Sequence, residues 1–214
     1  LNRAHGRAFD ALFEEIREKM HEELDYTHEA ENVRLFRDMH AEDEYVLVPE
    51  VVGERSAKRV LTLTFLDGDG LPHASSEYDQ EVRNQIGENF IHLVLSQIFE
   101  HRALHADPNP GNYAFRPDGR IVLYDYGCVK RISPDMASAY AGILHSGFER
   151  DFVAMDEYMH DIGGRIPDGP EVPEDFYHRW YETVMEPCVA GEYFDYGEST
   201  LHKDTVEMVK WSGR

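Results

Sequence analysis

Two aspartates and an asparagine carry the clearest chemical signal in the chain. His105-Ala106-Asp107-Pro108-Asn109-Pro110-Gly111-Asn112 is a loop stiffened by two prolines that displays an acid, Asp107, and a carboxamide, Asn112, at an i,i+5 offset. Further along comes a second acid, Asp125, in Asp125-Tyr126-Gly127. A carboxylate to accept a hydroxyl proton, an amide oxygen to ligate a metal ion and a carboxylate arriving on a later strand form the set that phosphoryl transfer requires. Catalysis there is mostly positioning and charge neutralisation by magnesium.

Each piece taken singly has a plainer meaning: a turn at Asp107-Pro108, a strand-start cap at Asn112, a hairpin exit at Asp125-Tyr126-Gly127. Their joint order, with a hairpin between them, favours the chemical reading, and protein-kinase catalytic loops keep the same Asp-to-Asn offset ahead of a later Asp-Phe-Gly. A rival set of metal ligands is His101, His105 and Asp107, because histidines four apart on a helix share a face. Pro108 directly after Asp107 fits a structural loop better than a ligand site. A related rival is a metal-dependent hydrolase using His105, Asp107 and Asp125.

The elements that must hold these residues follow from periodicity. Phe9, Leu12, Phe13, Ile16 and Met20 recur at helical spacing from Arg7, and the pattern continues through Leu24, Ala30, Val33, Leu35 and Phe36. Its weakest point is Asp25-Tyr26-Thr27-His28, so one long helix or two consecutive ones fit. Tyr45–Val48 with Val51-Val52, and Arg59–Leu66, predict two strands, the second ending in the turn Asp67-Gly68-Asp69-Gly70. Ser76 is a candidate N-cap for a helix from Glu77 to about His101, whose wide apolar face predicts that it is largely buried. Tyr113–Phe115 and Ile121–Tyr124 flank the turn Pro117-Asp118-Gly119 and predict a hairpin. Ser133-Pro134 opens a helix to about Phe148, with further helices over Asp151–His160, Pro173–Met185 and Ser199–Trp211. The aromatics Phe176, Tyr177, Trp180 and Tyr181 read as core, Glu42-Asp43-Glu44 as a solvated run, and Cys128 as a small packing residue.

Composition narrows the partners. The 214 residues hold 42 acidic against 21 basic side chains, a formal net charge of −21, so the surface repels nucleic acid and anionic lipid. Two cysteines, Cys128 and Cys188, give no disulfide framework, and no apolar stretch approaches a membrane span. The expectation is a protein of a reducing compartment, cytoplasmic or at the periphery of the inner membrane.

The loop and the Asp125-Tyr126-Gly127 motif closely resemble the UbiB (AarF, ADCK) family of atypical protein-kinase-like proteins, whose catalytic loop typically reads His-Ala-Asp-x-His-Pro-Gly-Asn; Asn109 stands at the fifth position here. Glu23-Leu24-Asp25 looks like that family's Glu-x-Asp motif, and Val48–Val51 with Arg59–Gly68 resembles the strands leading into its hinge. The resemblance implies an α+β, predominantly helical fold: the end of an N-lobe over residues 1–66 and a helical, kinase-like C-lobe over 67–214. It implies Asp107 as the catalytic aspartate, Asn112 and Asp125 as metal ligands, and Glu29 as the helix glutamate that pairs with an N-lobe lysine. Glu23 and Asp25 would approach the nucleotide, and Phe65 and Leu66 would stand at its hinge. The implied cofactors are ATP and Mg2+. The implied biology is isoprenoid-quinone (ubiquinone-type) biosynthesis or related lipid metabolism, with a lipid or quinone precursor and other quinone-biosynthesis proteins as further partners.

The chain also departs from that pattern. It shows no Gly-rich phosphate loop, no Val-Ala-x-Lys strand and no Lys-x-Gly-Gln segment, and its five lysines, Lys19, Lys58, Lys130, Lys203 and Lys210, lie in other contexts. The expectation is a chain that starts inside the N-lobe. Two alternatives stay open: a small-molecule phosphotransferase of the aminoglycoside or choline type, and a non-catalytic kinase-like scaffold.

Overall fold

The hairpin that follows the His105–Asn112 loop forms as its sequence predicts. In a computed structural model, which describes residues 25–164, 172, 174–189, 191 and 194–212, strands β3 (Tyr113–Phe115) and β4 (Ile121–Leu123) pair antiparallel with Ala114 opposite Val122. All six residues are buried. Gly119 takes φ +84° in the connecting turn, a left-handed conformation that glycine adopts without a Cβ penalty. A short β1 (Val46–Leu47) adds to β4 in parallel, giving the order β1-β4-β3. A second, two-stranded sheet was not expected: β2 (Ala103–His105) pairs antiparallel with β5 (Val129–Arg131), so it joins the residues just before the loop to those just after Asp125-Tyr126-Gly127.

Helix α1 (Tyr26–Met39) starts at the weak point of the long periodic pattern. Asp25 is its N-cap, accepting the Thr27 N–H at 3.1 Å. Ala30, Val33 and Phe36 at three-residue steps are its buried stripe, packed with Leu93, Tyr113, Phe115, Ile121, Leu123 and Tyr126. Glu23 and the expected helix before Asp25 lie outside the described residues.

Three expectations are corrected. Arg59–Leu66 is not a strand: only the isolated bridges Val51–Leu63 and Ala57–Val60 form there. Side-chain hydroxyls take part of the ladder's hydrogen bonds: Val52 N–H still donates to Thr62 C=O and Thr64 N–H to Glu50 C=O, each at 2.8 Å, but Ser56 Oγ accepts from Thr62 N–H at 3.0 Å and Thr64 Oγ1 from Glu50 N–H at 2.8 Å. Ser76 caps nothing; it lies inside an unexpected short helix, α2 (Leu71–Glu77), and its hydroxyl donates to Pro72 C=O at 3.1 Å. Tyr78 ends α2, its hydroxyl held by Asp69 at 2.7 Å and Phe115 C=O at 3.0 Å, and Asp79 then caps α3 (Gln80–Phe99) through Val82 N–H at 3.0 Å. Nor is α3 largely buried: Leu93 and Gln97 are, whereas Ile91 and Leu95 are exposed.

The chain divides into two compact units at Ile132/Ser133. In the second, Ser133 caps α4 (Pro134–Glu149) and Asp151 caps α5 (Phe152–Asp161); α6 (Glu174–Val184), α7 (Glu186–Val189) and α8 (Leu201–Ser212) follow. Ile143, Met155 and Tyr177 form its core with Phe176 and Trp180 against them, as the spacing of those aromatics predicts.

Candidate active site

The loop from His105 to Asn112 is a chain of short-range hydrogen bonds. Asp107 Oδ1 accepts Asn109 N–H at 3.2 Å and Asn109 Oδ1 accepts Gly111 N–H at 3.0 Å, two successive turns that stiffen the backbone. The Asn112 amide donates to Asp107 Oδ2 at 2.7 Å. This fixes the carboxamide by its nitrogen and leaves Oδ1, the atom a hard cation needs.

Asp125-Tyr126-Gly127 is tied to the same loop from several sides. The His105 ring donates through Nε2 to Asp125 C=O, Ala106 N–H donates to Cys128 C=O at 2.9 Å, and Tyr124 N–H donates to Asn112 C=O at 3.0 Å. Asp125 Oδ1 accepts Gly127 N–H at 2.8 Å, and its other oxygen meets no donor among the described residues. Asp107, Asn112 and Asp125 are therefore held on one hydrogen-bonded frame. Cys128 lends that frame its carbonyl and is exposed, so its side chain is not the packing residue expected.

Helix α1 grips the motif through both polar atoms of one residue. Asn32 Nδ2 donates to Tyr126 C=O at 2.9 Å, and the Tyr126 N–H bonds to Glu29. The Tyr126 ring is fully buried against Phe36, with its hydroxyl donating to Leu123 C=O at 3.1 Å. Partial burial pushes the Glu29 carboxyl above its ordinary range, the negative charge of Asp125 adds to the rise, and the Tyr126 N–H opposes it. Glu29 and Asp125 thus crowd each other as like charges.

The remaining expected residues play other parts. Asp25 spends both oxygens on structure, one on the Thr27 N–H and one on Lys58, whose Nζ is 3.2 Å away. The Thr27 hydrogen bonds hold its pKa low, with Lys58 helping. Phe65 is 89% exposed and packs on nothing in the site. Leu66 offers its carbonyl to the Tyr124 hydroxyl at 2.9 Å.

Neither histidine metal set is assembled. His105 is buried with one ring nitrogen on Asp125 C=O and the other 3.3 Å from the Tyr113 hydroxyl, so it is closed to a metal. His101 meets His40 and Asp43 instead, with ligand atoms all within 4.8 Å. That trio is closed too: Gln97 Oε1 accepts His105 N–H at 2.9 Å, so the Gln97 NH2 faces His40 Nε2. The His40 ring proton then sits on Nδ1, 2.7 Å from Asp43, where an ion would have to be. Asn32 and Gln97 were missed from sequence. The sequence signal for Gln97 is that of a polar residue one turn after Leu93 on the apolar face of α3.

Comparison with known proteins gives the family. Residues 2–159 match the ABC1 atypical kinase-like domain. The chain belongs to the ABC1 atypical kinase-like family. Relatives include Protein ACTIVITY OF BC1 COMPLEX KINASE 8, chloroplastic, of Arabidopsis thaliana, 31% identical over 76% of this chain and 22% of that protein. The atypical kinase coq-8, mitochondrial, of Caenorhabditis elegans is 33% identical over 74% of this chain and 22% of its own length. The atypical kinase COQ8B, mitochondrial, of Danio rerio is 28% identical over 92% of this chain and 32% of its own. The ABC1 chain described here therefore spans about a fifth to a third of the length of these relatives. Among solved structures, that of Rv3197 of Mycobacterium tuberculosis in complex with erythromycin superimposes with a TM-score of 0.70 at 25% identity, over 91% of this chain and 49% of that one. The ABC1 fold here is kinase-like, α+β and mainly helical. No described helix is long and apolar enough to cross a membrane.

Proposed function

We propose that this chain supplies the acidic, metal-binding side of an atypical-kinase nucleotide site, with Asp107 as catalytic base and Asn112 and Asp125 as magnesium ligands. The observation that carries it is the Asn112 amide pinned by nitrogen to Asp107, with Asp125 hydrogen-bonded into the same loop. The donor set fits: two hard oxygens suit an ion that keeps most of its water and takes the rest of its ligands from phosphate. Bound magnesium would neutralise polyphosphate charge. Asp107, held by Asn112 and Asn109, is placed to accept a proton from a hydroxyl acceptor, and the rigid loop limits what it can reach. Glu29 is the acid that in kinases holds the phosphate-contacting lysine. Among the described residues, Lys58 pairs with Asp25 rather than Glu29.

The two parts of this reading differ in how ATP is met. Carboxylates at 25, 29, 107 and 125 on a chain of net charge −21 repel polyphosphate wherever magnesium does not intervene. The 214-residue chain should therefore bind Mg–ATP only in the millimolar range and show no saturable thermal shift at micromolar nucleotide. By the family resemblance, the site would serve isoprenoid-quinone or related lipid metabolism; the relatives named above are chloroplastic or mitochondrial proteins. The test is a Mg–ATP titration followed by the amide signals of Gly111 and Gly127. Asp125→Asn should weaken the response more than Asp107→Asn, which keeps the Asp125 carboxylate and loses one of the two acceptors that hold the loop, while a base acts in the transition state. Equal loss in both variants contradicts the assignment.

A further inference from the structure

A buried line of polar groups runs from the end of α1 to the candidate site, and every donor in it finds an acceptor. The His105 peptide N–H can only donate, so the oxygen of Gln97 faces it at 2.9 Å. The Gln97 NH2 then points at His40 Nε2, 3.5 Å away, which must present its lone pair. Hence His40 carries its proton on Nδ1 and donates to Asp43 Oδ2 at 2.7 Å. On the other side, Asp125 C=O can only accept, so the His105 ring carries its proton on Nε2 and, when neutral, accepts from the Tyr113 hydroxyl at 3.3 Å. Donation thus runs outward from His105 in both directions, from its peptide N–H through Gln97 and His40 to Asp43 and from its ring to Asp125 C=O, so the direction of every link is fixed. Gln97 is 2% exposed and His40 4%, so water does not substitute for any link between them.

We infer that Gln97 is a positioning residue for the candidate site: it fixes the peptide at the entrance to the catalytic loop and couples the state of His40 to the placement of Asp125. The inference rests on the reading of Asp107 and Asp125 given above. The mechanism is electrostatic and local. A proton on His40 Nε2 would face the Gln97 NH2, donor against donor, and the amide could turn away only by presenting its nitrogen to the His105 N–H. Burial already opposes that proton, holding His40 below its ordinary range, while Asp43 favours it and His101 opposes it. The Phe36 ring lines the remaining side.

The experiment is nitrogen-15 histidine spectroscopy of the whole chain with a pH titration of the Asp125 and Gly127 amides. The wild type should show His40 as the Nδ1–H tautomer and His105 as Nε2–H, and the Gly127 signal should step at the midpoint of His40. Gln97→Glu keeps shape and still accepts from His105 N–H, but turns an oxygen toward His40 Nε2. His40 should then titrate about one pH unit or more higher, and the Gly127 step should move with it. Gln97→Leu should shift the His105 amide signal and remove the His40-linked step. An opposite tautomer in either histidine, or a Gly127 signal indifferent to His40 in both wild type and Gln97→Glu, overturns the inference. No nucleotide enters this experiment, so its failure would leave the magnesium assignment standing, and failure of that assignment would leave these tautomers unchanged.

Discussion

Two stretches of the first unit promised strands equally well, and only one became a sheet. Tyr113–Leu123 folds as a buried hairpin with a parallel partner, every strand residue out of water. Arg59–Leu66 has the same β-branched and apolar content, yet it forms only bridges and leaves Phe65 89% exposed. The difference lies in the partners. Ile121 and Val122 meet Val46 and Leu47, whereas the second stretch keeps backbone bonds with Glu50 and Val52 but loses the reciprocal ones to the hydroxyls of Ser56 and of its own Thr64, which interrupts the ladder. The residues proposed for the chemistry flank the first kind of backbone. The expected hinge residues sit on the second.

Mutations separate the two kinds of region. The largest effect belongs to the core that backs the hairpin: Phe36→Ala removes a fully buried ring that touches Tyr126 and His105, and should cost about 3–5 kcal/mol in urea unfolding. Ser56→Ala should come next at about 1 kcal/mol, because it strips the acceptor of Thr62 N–H and the donor to Val52 C=O. A loss near that of Phe36→Ala would mean that this segment is a true sheet in all but name.

Glu29→Gln gives a pH-dependent contrast. A carboxyl whose folded pKa is raised binds its proton more tightly in the folded state, so the charged form opposes folding at neutral pH and the penalty fades as pH falls through the raised value. Glutamine keeps an acceptor for Tyr126 N–H without the charge. Thermal melts should show Glu29→Gln more stable than wild type at pH 7 and level with it near pH 4; a lower melting temperature at pH 7 contradicts the crowding with Asp125. The smallest effect is Phe65→Ala, within about 0.5 kcal/mol of wild type, since an exposed ring loses little.

Much of the frame was legible in sequence because it is local. The hairpin, its Gly119 turn, the Ser133 cap and the Asp107-to-Asn112 offset all depend on residues within a few positions of each other. What was not legible depends on distant partners. Asp79 displaces Ser76 as a cap because Tyr78 is pulled to Asp69 and Phe115; Gln97 matters because His40 and His105 converge on it; Asp25 is taken up by Lys58. His101 could be recognised as a histidine of interest from its spacing to His105, but its neighbours are His40 and Asp43, which no spacing rule brings together.

The central claim is that Asn112 and Asp125 hold the metal of a nucleotide complex, and manganese tests it most directly. Mn2+ with ATP at millimolar concentration should broaden the amide signals of residues 107–112 and 125–127 first, and Asp125→Asn should abolish that broadening while Asp107→Asn leaves it in place at residues 125–127. Broadening centred instead on the acidic cleft of the second unit, lined by Glu182, Glu186, Asp204 and Glu207, or broadening at the loop that survives Asp125→Asn, would contradict the account.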